Sequence, residues 1–441
     1  MKRLTVFIAL LGLFARPAVA LEPLTDPVEA LEERPLAEVQ ALADKGDPAG
    51  MTALADMLNN GRAGAIDHVR ALVLYQKAVA AGNTDAVGDI GYMSKMGWGL
   101  PQDYAVAMVQ YRKAADLGSS DAMIGIGQLY ERGLGVPRDY AQAMTWYQKA
   151  QVAGNLHAGD YVANLYVTGH GVPQDYAKAM ALYQASADAG NGNGYEALGA
   201  FYALGKGVSR DEGKAIALYR LGAAAHFPSG SMALLGLAYA GGAGVARDDT
   251  EAVKWYRRSA ALGDRLAMYE LGVGLEKGRG VDLDLEEARA WMFKSADLGY
   301  ANAQLHLGNM YHEGAGVPID DAQAFKWYKA AADQGDKTGQ YDVALDYMQG
   351  WGVPVDQAKG IALMQTPAQR GYSVAQNMLG VYYFAGTGVT ADKVTALKWL
   401  ILAAAGGDKY APGGIKNIEA GMSADDIARG KAEASDFKPM D

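Results

Sequence analysis

Residues 118–154 read GSSDAMIGIGQLYERGLGVPRDYAQAMTWYQKAQVAG, and this stretch decides the fold. Apolar and small residues recur every three or four positions before and after its GLGV element, a spacing typical of amphipathic helices. Gly133 and Gly135 permit a positive φ, and Pro137 cannot continue a helix that precedes it. Asp139 belongs to the residue types that cap the start of a following helix. The stretch therefore predicts a helical hairpin.

The same pattern repeats along most of the chain. One glycine per unit returns every 36 residues, and the interval from Gly190 to Gly263 equals two such steps plus one residue. Ten units therefore fill residues 46–407, each a hairpin of a first and a second helix. The glycines of this column are Gly46, Gly82, Gly118, Gly154, Gly190, Gly263, Gly299, Gly335, Gly371 and Gly407.

An aspartate marks the start of the second helix in all ten units. An exposed first turn has unpaired N–H groups, so an acceptor side chain is expected there. The alternative, a ladder of carboxylates that binds a ligand, has the weaker case because every member stands at a helix start. The members are Asp67, Asp103, Asp139, Asp175, Asp211, Asp248, Asp284, Asp320, Asp356 and Asp392.

Two further columns describe the packing. The ninth residue after each column glycine is always Gly or Ala, which lets two helix backbones approach closely. Aromatic residues recur near it and predict the core between the helices, with some tyrosine hydroxyls bonded to polar partners. These aromatics are Tyr130, Tyr166, Tyr202, Tyr239, Tyr311, Tyr347 and Tyr383 on first helices, and Trp146, Trp255, Trp291, Trp327 and Trp399 on second helices.

The composition excludes several classes of function. The 441 residues include no cysteine, which rules out disulfides, cysteine-ligated metals and thiol catalysis. Lys and Arg number 40 against 50 Asp and Glu, and this net charge of −10 disfavours nucleic acid and acidic lipid as partners. Six scattered histidines without an HExxH motif give no metal site.

The first twenty residues have the pattern of a secretory signal peptide. Lys2 and Arg3 form a basic start, residues 4–14 an apolar run, and residues 18–20 (AVA) a small-x-small cleavage site. We expect cleavage after Ala20, which removes three bases and leaves a periplasmic or secreted chain of net charge −13. An uncleaved anchor is the weaker alternative. No later stretch approaches the roughly twenty apolar residues that a membrane helix needs.

Both ends of a repeat array need a cap, because terminal units would otherwise leave an apolar face bare. Residues 21–45 are predicted as a lead followed by a capping helix, and residues 408–441 as a C-terminal capping helix at 423–437 that follows a Gly-rich stretch. Inside the ninth unit, Gly360 and Pro367 are expected to interrupt the second helix.

The full pattern, A-x₃-LG-x₂-Y-x₂-GxGV-P-x-D-Y-x₂-A-x₂-WY-x-KA-A, resembles the Sel1-like repeat, a relative of the tetratricopeptide repeat. The resemblance covers all ten units. It implies an all-α fold, a right-handed α/α solenoid, and a scaffold that binds proteins as an adaptor or regulator in the bacterial cell envelope. We therefore expect protein partners, no enzymatic activity and no cofactor.

A different class of function remains open, namely a hydrolase or binding protein for β-lactams or peptidoglycan. Ser435 and Lys438 form an SxxK, residues 337–339 a KTG, and Tyr300 with Asn302 a YxN, the elements of penicillin-recognising enzymes. The order is inverted, and the KTG falls on the first turn of a predicted helix where those enzymes have a strand. We interpret the matches as coincidence.

Function is expected where the units differ. Seven residues after the column glycine, three adjacent units carry Glu270, His306 and Asp342, and Asn309 and Asp346 lie one turn further along. Stacking places residues 36 apart side by side, so these five form a candidate binding patch that His306 would make pH-sensitive. The alternative is a solvated polar groove without a ligand.

Two loop tips are also candidates. Trp98 and Trp351 occupy the middle of the GxG element, and an exposed tryptophan is a good interface anchor. Packing against the neighbouring loop is an equally good explanation.

Overall fold

The computed structural model describes residues 31, 34–225 and 228–440. These residues contain 23 helices and no strand. The prediction of an all-α solenoid is thus confirmed. The predicted signal peptide, residues 1–20, lies outside the described residues.

The chain divides into two compact units, residues 1–248 and 249–441. The N-terminal unit contains α1 Leu36–Asp44, α2 Pro48–Asn59, α3 His68–Ala80, α4 Ala86–Met96, α5 Tyr104–Asp116, α6 Ser120–Arg132, α7 Tyr140–Val152, α8 Ala158–Thr168, α9 Tyr176–Asp188, α10 Gly192–Leu204, α11 Glu212–Gly222 and α12 Ser229–Gly241. The C-terminal unit contains α13 Asp249–Ala261, α14 Arg265–Lys277, α15 Leu285–Asp297, α16 Ala301–Glu313, α17 Asp321–Asp333, α18 Lys337–Gln349, α19 Gln357–Gln369, α20 Ser373–Ala385, α21 Lys393–Ala405, α22 Ala411–Glu419 and α23 Ala424–Ser435.

Within each unit, consecutive helices pack side by side, which stacks one hairpin on the next. Even-numbered helices from α2 to α20 are the first helices of the hairpins, and α3 to α21 the second. The apolar contacts run from one hairpin to its neighbour. Leu129 of α6, for example, packs in one cluster with Tyr111 of α5. The core of each unit is therefore a strip between hairpins.

The loop aspartates cap the second helices. Asp139 accepts hydrogen bonds from the backbone N–H groups of Ala141 and Gln142, both at 3.0 Å. Asp103 accepts from Ala105 and Val106 in the same way. The side chains of Asp67, Asp175, Asp211, Asp284, Asp320, Asp356 and Asp392 also accept from the first turn of their helices. These carboxylates satisfy N–H groups that would otherwise lack a partner.

The column of small residues makes room for a buried side chain of the second helix. A Cβ on Gly127 would lie 2.4 Å from Tyr147 Cε1, and one on Gly308 would lie 2.3 Å from Tyr328 Cε1. The tyrosines at this position of the second helix are all buried: Tyr75, Tyr111, Tyr147, Tyr183, Tyr219, Tyr256 and Tyr328. The small residue and the tyrosine thus form one packing device.

The prediction that the tryptophans and the first-helix tyrosines form the core is only partly correct. Trp399 is buried, but the other four tryptophans and the tyrosines of the first helices are half-buried. These side chains stay half-buried because their hydroxyl groups or ring faces contact charged side chains at the surface. Arg112 donates to the Tyr130 hydroxyl at 3.0 Å, and the Lys149 ammonium lies 4.0 Å from the centroid of the Trp146 ring.

One local prediction was wrong, and one helix was not predicted. Helix α19 continues through Gly360 and Pro367. At Gly360 the missing side chain leaves space for Met348, since a Cβ there would lie 2.7 Å from Met348 Sδ. The Gly-rich stretch 411–414 begins another helix, α22. Asp408 accepts hydrogen bonds from the backbone N–H groups of Tyr410 and Ala411 at the start of this helix. Further along α22, Ile418 is buried against α21.

Candidate binding surface on three first helices

The predicted patch lies on α14, α16 and α18, the first helices of three adjacent hairpins in the C-terminal unit. Glu270, His306 and Asp342 occupy equivalent positions of these helices, and each is half-buried. Half-burial removes part of the water around each side chain without hiding it from a partner. We call the side chains of Glu270, Glu276, His306, Asp342 and Asp346 the polar face.

At one end of the polar face, His306 pairs with a residue that the sequence did not single out. Its Nε2 lies 3.4 Å from Glu276 Oε1, and the Tyr269 ring meets the imidazole edge-on. Burial raises the pKa of Glu270 to about 7, although the charges of Lys277 and Arg279 act in the opposite direction. Basic side chains of the same hairpin therefore already offset the charge of Glu270.

Asn309 has a structural contact. Its Oδ1 accepts a hydrogen bond of 2.8 Å from the hydroxyl of Tyr328 on α17. The same bond joins Tyr183 to Asn164 at 2.7 Å in the N-terminal unit. Asn309 is exposed, but its carbonyl oxygen holds the core tyrosine of its own hairpin.

At the other end, Asp346 is 2% exposed, and its Oδ2 has no hydrogen-bond partner. Burial and the charges of Asp342 and Asp321 raise its pKa to about 7. The pKa of Asp342 also rises to about 7, through burial and Asp336, while His312 lowers it. The structure thus brings Asp342 and Asp346 together.

Sequence reasoning missed His312 and Asp321. His312 Nδ1 lies 2.8 Å from Asp321 Oδ1, a contact between α16 and the start of α17. The sequence does contain a signal for this end of the polar face, in the column of Asp346, eleven residues after the column glycine. Every other unit carries an apolar, small or aromatic residue there, namely Met57, Met93, Leu129, Leu165, Phe201, Ala238, Gly274, Met310 and Tyr382.

The two loop tryptophans pack on the preceding hairpin. Trp98 stacks on His68, with ring centroids 4.5 Å apart and planes inclined by 6°. Trp351 lies 4.6 Å from His312 between ring centroids and remains 37% exposed. Trp98 therefore has a stacking contact inside the chain, whereas Trp351 also presents a surface to solvent beside the aspartates.

Comparison with known proteins places the fold and the repeats in one family. The model of the Sel1 repeat matches residues 48–83, 85–119, 120–150, 160–191, 193–227, 229–264, 265–300, 301–336, 338–372 and 373–408. The chain belongs to the Sel1 repeat family. Its ten repeats are the ten hairpins, and the predicted resemblance is confirmed.

Solved structures with similar Sel1 repeats are also found. The protective antigen c5321 of uropathogenic Escherichia coli, which displays an SLR fold, is 27% identical over 92% of this chain and 94% of its own, with a TM-score of 0.39. A Sel1 repeat protein of Oxalobacter formigenes is 32% identical over 60% of this chain and 100% of its own, with a TM-score of 0.43. Comparison with curated proteins gave no match.

The Sel1 repeats form a scaffold suited to protein–protein interaction, and proteins of this family are typically non-catalytic. The KTG residues stand on the first turn of α18, where Lys337 Nζ donates to the Arg370 carbonyl at 2.5 Å. Ser435 is the last residue of α23. The KTG residues and Ser435 thus lie on helices, whereas Lys438 follows the end of α23 and Tyr300 precedes α16.

Across residues 34–225 and 228–440, no group of three or more His, Asp or Glu side chains is placed to hold a metal ion. In the same described part of the chain, no helix has the length and apolar character needed to cross a bilayer.

Proposed function

We propose that this Sel1 repeat chain is an exported scaffold of the cell envelope that binds a protein partner through the polar face. Export is supported by the signal-peptide pattern of residues 1–20. Protein binding is supported by the repeat architecture, in which adjacent first helices present a continuous surface. The adaptor or regulator role follows from combining the two.

A single observation carries the location of the binding surface. Asp346 stands at a core position, yet its carboxylate is buried with one oxygen unpartnered. An unpaired buried carboxylate destabilises a fold, and the residues in this column of the other repeats show that packing does not require it. A contact with a partner would explain why the chain carries this group.

The charge of the chain supports a protein with a neutral or basic surface as the partner. The formal net charge is −10, and it becomes −13 after the predicted cleavage. Within the polar face, Glu276 on α14 and the aspartates Asp342 and Asp346 on α18 are acidic. Such a surface repels phosphate-rich partners and attracts basic protein segments.

Site-specific photocrosslinking in cells that express the full chain tests the surface. We would place p-benzoylphenylalanine at Glu313, an exposed residue at the end of α16, and as a matched control at Lys329, an exposed residue on the second helix of the same repeat. The proposal predicts adducts of defined mass from position 313 and none from position 329. Equal adducts from both positions, or none from position 313, would contradict it.

Two further measurements test the remaining parts. The intact mass of the chain recovered from the periplasm should correspond to cleavage after Ala20, and recovery of the uncleaved chain in the cytoplasm would refute export. Labelling by a fluorescent penicillin that is lost in Ser435→Ala would instead support the alternative of a penicillin-recognising enzyme.

A further inference from the structure

Three aspartates meet where α16, α17 and α18 pack together, and we call them the aspartate cluster: Asp321, Asp342 and Asp346. They form a path from the surface to the core. The side chain of Asp321 is 34% exposed, Asp342 is half-buried, and Asp346 is 2% exposed. The unpartnered Oδ2 belongs to the innermost member, Asp346. The cluster thus leads inward to an unsatisfied acceptor.

The charged groups that face the cluster are mostly acidic. Asp342 and Asp321 act on Asp346, and Asp336 acts on Asp342. Glu313 of α16 acts on the neighbouring Tyr328 together with the three aspartates. The opposing group is His312, which is held by Asp321 at 2.8 Å. Across the described residues, no lysine or arginine forms an ion pair with a member of the cluster.

Other carboxylates of this unit have basic neighbours. Arg257 donates to Glu287 through both terminal guanidinium nitrogens, with Nη2 2.9 Å from Oε2. Lys277 and Arg279 act on Glu270. Glu287 and Glu270 thus have Lys or Arg neighbours, whereas no Lys or Arg pairs with the aspartate cluster in the described part of the chain.

An aromatic ring stands at the edge of the cluster. Trp351 packs against His312, and 37% of the residue remains exposed. Carboxylate oxygens and an exposed indole together match a planar guanidinium, which donates two hydrogen bonds to carboxylate oxygens and stacks on an aromatic face. An ammonium is a more compact charge that lacks this planar match.

We propose that the aspartate cluster is the recognition pocket for an arginine side chain of the partner protein. The arginine enters past Trp351, and its guanidinium donates to the half-buried Asp342. It reaches the Oδ2 of Asp346 when the Asp342 side chain moves aside, because that oxygen has no accessible surface in the free chain. This inference rests on the proposed function and names the chemistry of the partner segment.

The experiment uses the full mature chain and the peptide acetyl-Ala-Arg-Ala-amide. The readout is the indole N–H resonance of Trp351, assigned by its loss in Trp351→Phe. We expect a saturable shift with the arginyl peptide. The matched peptide with citrulline, which has the same shape without the charge, should produce a shift at least about tenfold weaker in affinity. Equal shifts with both peptides would overturn the proposal, and equal affinity for a lysyl peptide would overturn the choice of arginine.

Variants locate the pocket. Asp342→Asn and Asp346→Met should each weaken the arginyl peptide at least about tenfold. Glu287→Gln, on α15 outside the polar face and already paired with Arg257, should leave the affinity unchanged. Met occurs in the Asp346 column of three other repeats, so the fold can accept it there. Unchanged affinity in Asp342→Asn and Asp346→Met would overturn the proposal.

The experiments distinguish failure of the proposed partner surface from failure of the arginine pocket. Crosslinks from position 313 that the arginyl peptide does not reduce would retain the scaffold and refute the arginine pocket. Peptide binding at Trp351 without crosslinks in cells would support the pocket and refute the proposed partner surface.

Discussion

The imidazole of His312 and the carboxylate of Asp321 lie 2.8 Å apart, Nδ1 to Oδ1, and join α16 to the start of α17 at the rim of the aspartate cluster. His312 also supports the indole of Trp351. One side chain thus sets both the charge and the shape of the rim.

Substitution His312→Gln is expected to raise the pKa of Asp342, because the charge of His312 lowers it. Carbon-13 NMR of the aspartate carboxyl groups measures this pKa directly. His306→Gln is the matched control, since His306 pairs with Glu276. An Asp342 pKa that stays the same in His312→Gln, or shifts equally in both variants, would show that His312 does not act on the cluster.

Asp346→Met should stabilise the protein at pH 8 while it removes peptide binding. The substitution replaces a buried carboxylate that has an unpartnered oxygen with an apolar side chain found in the same column, a gain of roughly 1–3 kcal/mol in the free energy of unfolding. Urea unfolding measures it. The reverse change in the third repeat, Leu129→Asp, is the control and should cost at least about 3 kcal/mol. A destabilised Asp346→Met would mean that the carboxylate serves the fold.

Stability should fall as pH rises from about 4 to about 7. The pKa of Asp346 is about 7 in the folded chain, against an ordinary value near 4 for the unfolded one, so the native state holds the proton more tightly. Its contribution is full below about pH 4, is lost as pH approaches 7, and is constant above. The shift of about three pKa units corresponds to roughly 4 kcal/mol.

Urea unfolding of the unmodified chain and of Asp346→Met at several pH values isolates this contribution. The groups that face Asp346 are Asp342, Asp321 and Tyr328, and they are present in both proteins. The difference in unfolding free energy between the two should therefore grow with pH up to about 7. A difference that is independent of pH would contradict the raised pKa.

Gly308→Val should destabilise the eighth repeat by about 2–3 kcal/mol, because its Cβ would overlap Tyr328, only 2.3 Å away. A single methyl is a milder change, since Ala55 and Ala163 stand opposite Tyr75 and Tyr183. Gly413→Ala in α22, where a Cβ meets nothing within 4 Å, is the control and should be neutral or slightly stabilising. Thermal unfolding of the unmodified chain, Gly308→Val and Gly413→Ala measures these changes. Equal stability of the unmodified chain and Gly308→Val would contradict the prediction.

Much of the fold can be predicted from the sequence, because each repeat contains the local features that determine its structure. The glycine column, the capping aspartates and the small residue opposite the tyrosine are local features that a 36-residue period makes visible. The prediction failed at Pro367, where α19 continues, and missed α22 at 411–414. Packing against neighbouring helices keeps both segments helical. Propensity is weaker than packing at such positions.

The candidate site was less predictable. Helical periodicity placed Asp346 one turn from Asp342, but it did not reveal that His306 pairs with Glu276 or that His312 pairs with Asp321. Those pairs depend on side-chain direction between helices, which a column of letters does not contain. The departure of Asp346 from an otherwise apolar column was the readable signal.

The central claim is that the aspartate cluster binds an arginine side chain. Its most direct test is the pKa of Asp346 measured by carbon-13 NMR with and without the arginyl peptide. A pKa of about 7 for the free chain that falls clearly when the peptide is saturating is the predicted result, because a bound guanidinium favours the ionised carboxylate. An ordinary pKa in the free chain, or one that the peptide leaves unchanged, would contradict the account.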